Sequence, residues 1–181
     1  MKRIAPFLLL FLTLPALLFG SNGVSVTAVL SGDTIELSNG EIVRMLGIDS
    51  PEVQKNMKLK HDLERSEESE SELLEKGRQA KEFTQNLVEG KQVRLESDLL
   101  ERDNQGRLLA NVYMLANAQA NSSNDFRIIV DASGFKEVFV NATIINSGYA
   151  YPLTVLPNIK NTNYFFRLFK EAKQNKRGFW K

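Results

Sequence analysis

The stretch TIELSNGEIVRMLGIDSPE, from Thr34 to Glu52, decides how the fold is read. Two β-prone runs, Thr34 to Leu37 and Glu41 to Ile48, flank Ser38-Asn39-Gly40, and Asn-Gly between such runs is the strongest short-range hairpin signal. Upstream, Val24, Val26, Ala28 and Leu30 alternate on one face with the period of a half-buried strand, and Ser31-Gly32 then bends the chain. Three consecutive antiparallel strands follow, and Pro51 interrupts the pattern.

Beyond Pro51 the stretch 53–75 is polar and charged and lacks clear amphipathic spacing, so it reads as a long loop, at most partly helical. Leu73, Leu74, Ala80, Phe83, Leu87 and Val88 then mark one broad helical face that ends at Gly90. Val93 and Leu95, then Leu108, Ala110, Val112 and Met114, supply two more strands around a polar turn and bring the count to five. The Asn- and Ser-rich stretch 115–137 reads as an insertion, an elongated hairpin or flap built on the β-prone run from Phe126 to Val130. A short helix from Val140 to Ser147 stops at Gly148, and an amphipathic helix from Asn163 to Lys176 carries Phe165, Phe166, Leu168 and Phe169. The closing aromatics Phe179 and Trp180 read as core or cap rather than as a base-stacking platform.

At 181 residues with 43% apolar composition, the chain holds enough material for one domain with its own core. Residues 1–23 differ from the rest: Lys2 and Arg3, an apolar run from Ile4 to Phe19, then Gly20 and Ser21. That is the layout of a signal peptide, with a retained anchor as the alternative because Leu18 sits where a small residue would favour cleavage. The expected destination is the cell envelope or the exterior. The absence of cysteine excludes disulfides, a thiol nucleophile and a cysteine zinc site, and a single histidine, His61, excludes imidazole pairs within one chain. Hydrolysis must therefore use carboxylates, arginines or a hard metal ion. Net charge is +1, so no global basic field announces nucleic acid; the acidic run from Asp62 to Glu75 and the basic tail beyond Asn158 read as solvated helix faces.

Polar residues gather at strand ends in three segments: Ser31-Gly32-Asp33-Thr34, Arg44 to Glu52, and Asp103 to Arg107. Each alone is ordinary turn or cap chemistry. Together, the order Gly32-Asp33-Thr34, Arg44, Gly47-Ile48-Asp49-Ser50-Pro51-Glu52, Asp103 and Gly106-Arg107-Leu108-Leu109-Ala110 closely resembles the staphylococcal nuclease family. Val140-Asn141-Ala142, Gly148-Tyr149-Ala150 and Gly178-Phe179-Trp180 extend the resemblance from about Val24 to Trp180.

The resemblance implies an α+β fold, a five-stranded antiparallel OB-fold barrel with three helices. It implies Ca²⁺ as cofactor, held by Asp33, Asp49 and the backbone carbonyl of Ser50, an oxygen set suited to a hard cation. Glu52 would activate or orient the attacking water, and Arg44 and Arg107 would hold the scissile phosphate. The implied enzyme is a nuclease acting on DNA and RNA as a monomer, and contacts confined to phosphate predict little sequence specificity and a preference for single-stranded or unpaired regions. Ser31 departs from the pattern, standing where many relatives carry a further Asp, as do Asn104-Gln105 before Arg107 and the scarcity of tyrosines after Tyr149. The alternative is a non-catalytic nucleic-acid or protein-binding module on the same barrel.

Overall fold

A computed structural model of the chain describes residues 24–115, 127–130, 134 and 136–181. The expected signal segment 1–23 and most of the stretch 116–135 lie outside the described residues. Strands β1 (Val24–Ser31), β2 (Thr34–Leu37) and β3 (Ile42–Met45) form the expected antiparallel meander, with Gly40 at positive φ in the β2–β3 turn. The run read as ending at Ile48 is broken by a turn at Leu46-Gly47, after which β4 (Ile48–Asp49) leaves the barrel wall to pair with β9 (Tyr151–Pro152). Strand β5 (Gln92–Glu96) pairs with β1 on one side and with β6 (Leu108–Leu115) on the other.

The barrel closes where β3 meets β6 in a parallel pair, with Val43 opposite Leu108 and Arg44 opposite Leu109. β1, β2, β3, β6 and β5 thus form the closed five-stranded barrel expected, antiparallel at every seam but this one. Its interior is filled by Val26, Ile35, Leu37, Val43, Met45 and Val112. From the insertion, β7 (Ile128–Val130) and β8 (Lys136–Phe139) form an antiparallel pair that extends the sheet beyond β6.

Four α-helices, not three, are present among the described residues: α1 (Met57–Arg65), α2 (Glu70–Val88), α3 (Val140–Asn146) and α4 (Thr162–Gln174), followed by a 3-10 turn at Gly178–Trp180. The additional one, α1, falls in the stretch read as a loop. It buries only Leu59, and its apolar face, Leu59 and Leu63, is too short to stand out among charged neighbours; it starts because the Asn56 side chain accepts a hydrogen bond from the Leu59 amide. Helix α2 begins earlier than Leu73 because Ser69 and Glu72 form a reciprocal capping box.

Two glycines set how closely α2 approaches the strand ends. A β-carbon on Gly77 would fall 2.0 Å from the Glu52 carbonyl oxygen, and one on Gly32 would fall 2.6 Å from Cβ of Ala80. Thr84 of α2 also donates to the Gly32 carbonyl at 2.7 Å. From the other side, buried Asn141 of α3 accepts from the Val112 amide and donates to the Leu46 carbonyl, both at 2.9 Å, tying the turn after β3 to β6. The terminal aromatics pack as a cap: Trp180 lies edge-on to Tyr151 and Phe169, and Phe179 edge-on to Tyr149.

Candidate active site

Asp33 occupies the tight turn between β1 and β2, and its buried carboxylate faces four donors. Oδ1 accepts from the hydroxyls of Ser31 and Thr34 at 2.9 Å each; Oδ2 accepts from the Ser50 amide at 2.6 Å and lies 3.1 Å from Nη1 of Arg44. Burial alone would push this acid up, but the Arg44 charge and these three donors outweigh it and hold its pKa below the ordinary carboxylate value. Ser31, where the resemblance leads one to expect an acid, is instead a donor to Asp33.

Arg44 projects from β3 between two aspartates. Nη2 donates to Oδ1 of Asp49 at 2.9 Å, and Nη1 donates to the Ile48 carbonyl at 2.8 Å. At Asp49, burial prevails over the nearby charges of Lys58 and Arg44, and its pKa is raised. Glu52 follows two residues after Ser50 on the segment pressed against Gly77; its Oε2 accepts from the Asn56 side chain at 2.6 Å.

Arg107 immediately precedes β6, and the parallel β3–β6 register brings that end beside Arg44. Both arginines line one groove of about 340 Å³, with Gly47, Leu100, Leu153 and Val155 among its apolar walls. Arg107 is held by Asp103: Nε donates to Oδ2 at 2.7 Å, and its backbone amide donates to Oδ1 at 3.0 Å. Burial opposes ionisation of Asp103, and the hydrogen bonds from Arg107 and the Gln105 amide overcome it, leaving its pKa lowered. The structure therefore puts Asp33 and Asp49 each in contact with Arg44, and it puts Arg44 and Arg107 in one groove whose lining does not include Asp33, Asp49 or Glu52. Among the described residues no ion pair joins Arg107 to Asp33, Asp49 or Glu52.

The profile of staphylococcal nuclease homologues matches residues 42–181, most of the chain and all of it from β3 onward. The chain belongs to the staphylococcal nuclease homologue family. It is 27% identical to the thermonuclease of Staphylococcus hyicus over 158 residues, covering 86% of this chain and 73% of that protein. It is also 27% identical over 163 residues to uncharacterized protein MJ1439 of Methanocaldococcus jannaschii, covering 86% of this chain and 70% of that one.

For a member of this nuclease family, one part of the site was not legible in the sequence. Lys58 of α1 reaches back so that Nζ lies 3.2 Å from Oδ2 of Asp49, 3.2 Å from the Ser50 carbonyl oxygen, 3.5 Å from Oε1 of Glu52 and 2.9 Å from Oδ2 of Asp62. It stands in the stretch read as a loop, and the only signal was that Lys58 and Asp62, four residues apart, share one face if a helix is assumed there. Asp33, Asp49 and the Ser50 carbonyl supply oxygen only, the donor chemistry of a hard cation, although no group of three or more acidic or histidine side chains disposed to hold a metal ion occurs among the described residues.

Proposed function

We propose that the chain is an exported, calcium-dependent nuclease that hydrolyses phosphodiester bonds of DNA and RNA with little sequence specificity. The observation that carries the reading is the position of Arg44, fixed by Asp33 and Asp49 and sharing a groove with Arg107. Attack of water on a phosphodiester builds negative charge on the phosphoryl oxygens, and two guanidiniums held in place before the substrate arrives stabilise it without reorganising. Arginine suits the task because its planar fork donates two parallel hydrogen bonds and stays charged at any working pH. Asp103 aims Arg107, and Asp49 and the Ile48 carbonyl aim Arg44.

Glu52 is the proposed base. Asn56 donates to Oε2 and the Lys58 ammonium lies 3.5 Å from Oε1, so an ordered water whose proton Glu52 takes or whose lone pair it directs at phosphorus would share Oε1 with Lys58. Asp33, Asp49 and the carbonyl of Ser50 would hold Ca²⁺, which when bound would supply Lewis-acid stabilisation of the phosphoryl charge. Contacts confined to phosphate read no base edge, hence DNA and RNA both serve, entering best where strands are unpaired. Lys2, Arg3 and the apolar run after them support export to the envelope or exterior; amino-terminal sequencing of the protein from envelope and medium fractions tests this.

Incubation of the purified protein with denatured DNA and with single-stranded RNA, in calcium or in chelator, tests the activity. Cleavage of both that requires calcium is the expected outcome. Salt-sensitive binding without cleavage in either condition would replace the enzyme with a non-catalytic binding module.

A further inference from the structure

We infer that Lys58 is a tethered cation that competes with the divalent ion for the oxygen site around Asp49 and Ser50, so that the ion enters by displacing its ammonium. This rests on the calcium reading for the identity of the ion; the placement of Lys58 does not. Nζ faces four oxygens, and two of them, Oδ2 of Asp49 and the Ser50 carbonyl, belong to the proposed metal ligands, while a third belongs to the proposed base Glu52. An ammonium has three protons and no acceptor capacity, so its interactions with these oxygens are those a small cation would make. A divalent ion bound to Asp49 and Ser50 at calcium–oxygen distances would lie within a few ångströms of Nζ, close enough for strong repulsion between like charges.

Lys58 is also held in place rather than loosely exposed. Its helix is capped by Asn56, which at the same time donates to Glu52, and it is anchored by buried Leu59. Asp62, one turn further along α1, offers the fourth oxygen at 2.9 Å. Asp62 is the destination that makes the exchange feasible: the side chain can withdraw from Asp49 and Ser50 onto Asp62 without α1 unfolding and without stranding its charge. With this second cation beside Arg44, Asp49 keeps charged partners when no metal is bound.

The test is calorimetric titration of calcium into the full chain without nucleic acid, comparing the parent, Lys58→Met, Asp62→Asn and the double variant. Lys58→Met is expected to bind calcium on the order of tenfold or more tighter than the parent. Its melting temperature should be lower than the parent's in chelator and should rise by more on adding calcium, since the ion then supplies the missing charge. Asp62→Asn is expected to weaken calcium binding in the parent background and to have little effect in the Lys58→Met background, because it acts through Lys58. Equal or weaker binding by Lys58→Met would overturn the proposal, as would an Asp62→Asn effect that is the same in both backgrounds. Should Lys58→Met melt too low to titrate, Lys58→Gln replaces it in the same cycle. If neither parent nor variant binds calcium at millimolar concentration the competition is refuted, while the nuclease reading stands or falls on its own cleavage assay.

Discussion

At the scale of single residues the site is a chain of paired charges, and each pair makes a distinct demand. Replacing Arg44 by Lys keeps the charge but loses the fork that spans Asp33 and Asp49, so a drop in kcat of about 10²- to 10³-fold is expected in steady-state cleavage, with circular dichroism reporting an intact fold. Asp103 carries a pH signature. Its folded pKa is depressed below 3.8, so the stability it contributes is fully present above that unfolded value and is lost as pH falls through the lower folded one. Denaturant melts of Asp103→Asn should therefore lie below those of the parent at neutral pH and converge with them in strong acid. A gap that persisted or widened in acid would mean that Asp103 is not the charged partner of Arg107.

At the scale of elements, the capped helices and the close α2 contact govern where Glu52 stands. Gly77→Ala would raise helix propensity by about 0.5–1 kcal/mol in isolation, yet here it would drive a methyl into the Glu52 carbonyl. The expected outcome is a variant that loses activity by more than its change in melting temperature explains, checked by cleavage rate and thermal melt together. Asn56→Ala removes both the cap of α1 and a partner of Glu52, and should cost about 1 kcal/mol in denaturant unfolding along with part of the activity. The meander, α2 and the two later helices were legible because apolar residues recur at their periods. Helix α1 was not, since it buries Leu59 alone and is fixed by charges on other segments. The start of α2 is set by the capping box Ser69-x-x-Glu72, a polar signal that precedes the apolar spacing beginning at Leu73.

At the scale of the whole molecule, barrel closure is what brings Arg44 and Arg107, far apart in sequence, to one groove. Arg44 and Arg107 are neighbours because β3 and β6 pair in parallel, a seam that hairpin signals cannot announce since no turn joins its strands. The order of motifs pointed to the resemblance, and the closure explains why that order works. Asn141 secures the closure by bonding to β6 and to the turn after β3, so Asn141→Leu should leave the Val112 amide and the Leu46 carbonyl unpaired and cost about 2–4 kcal/mol in equilibrium unfolding. In the proposed reaction Glu52 activates or orients water beside phosphate held by two arginines. Single-turnover cleavage of a denatured DNA oligonucleotide by the parent and by Glu52→Gln, at saturating calcium, tests it most directly. The account predicts a fall of about 10²- to 10⁴-fold in the chemical step with little change in substrate affinity; equal rates for the two proteins would contradict it.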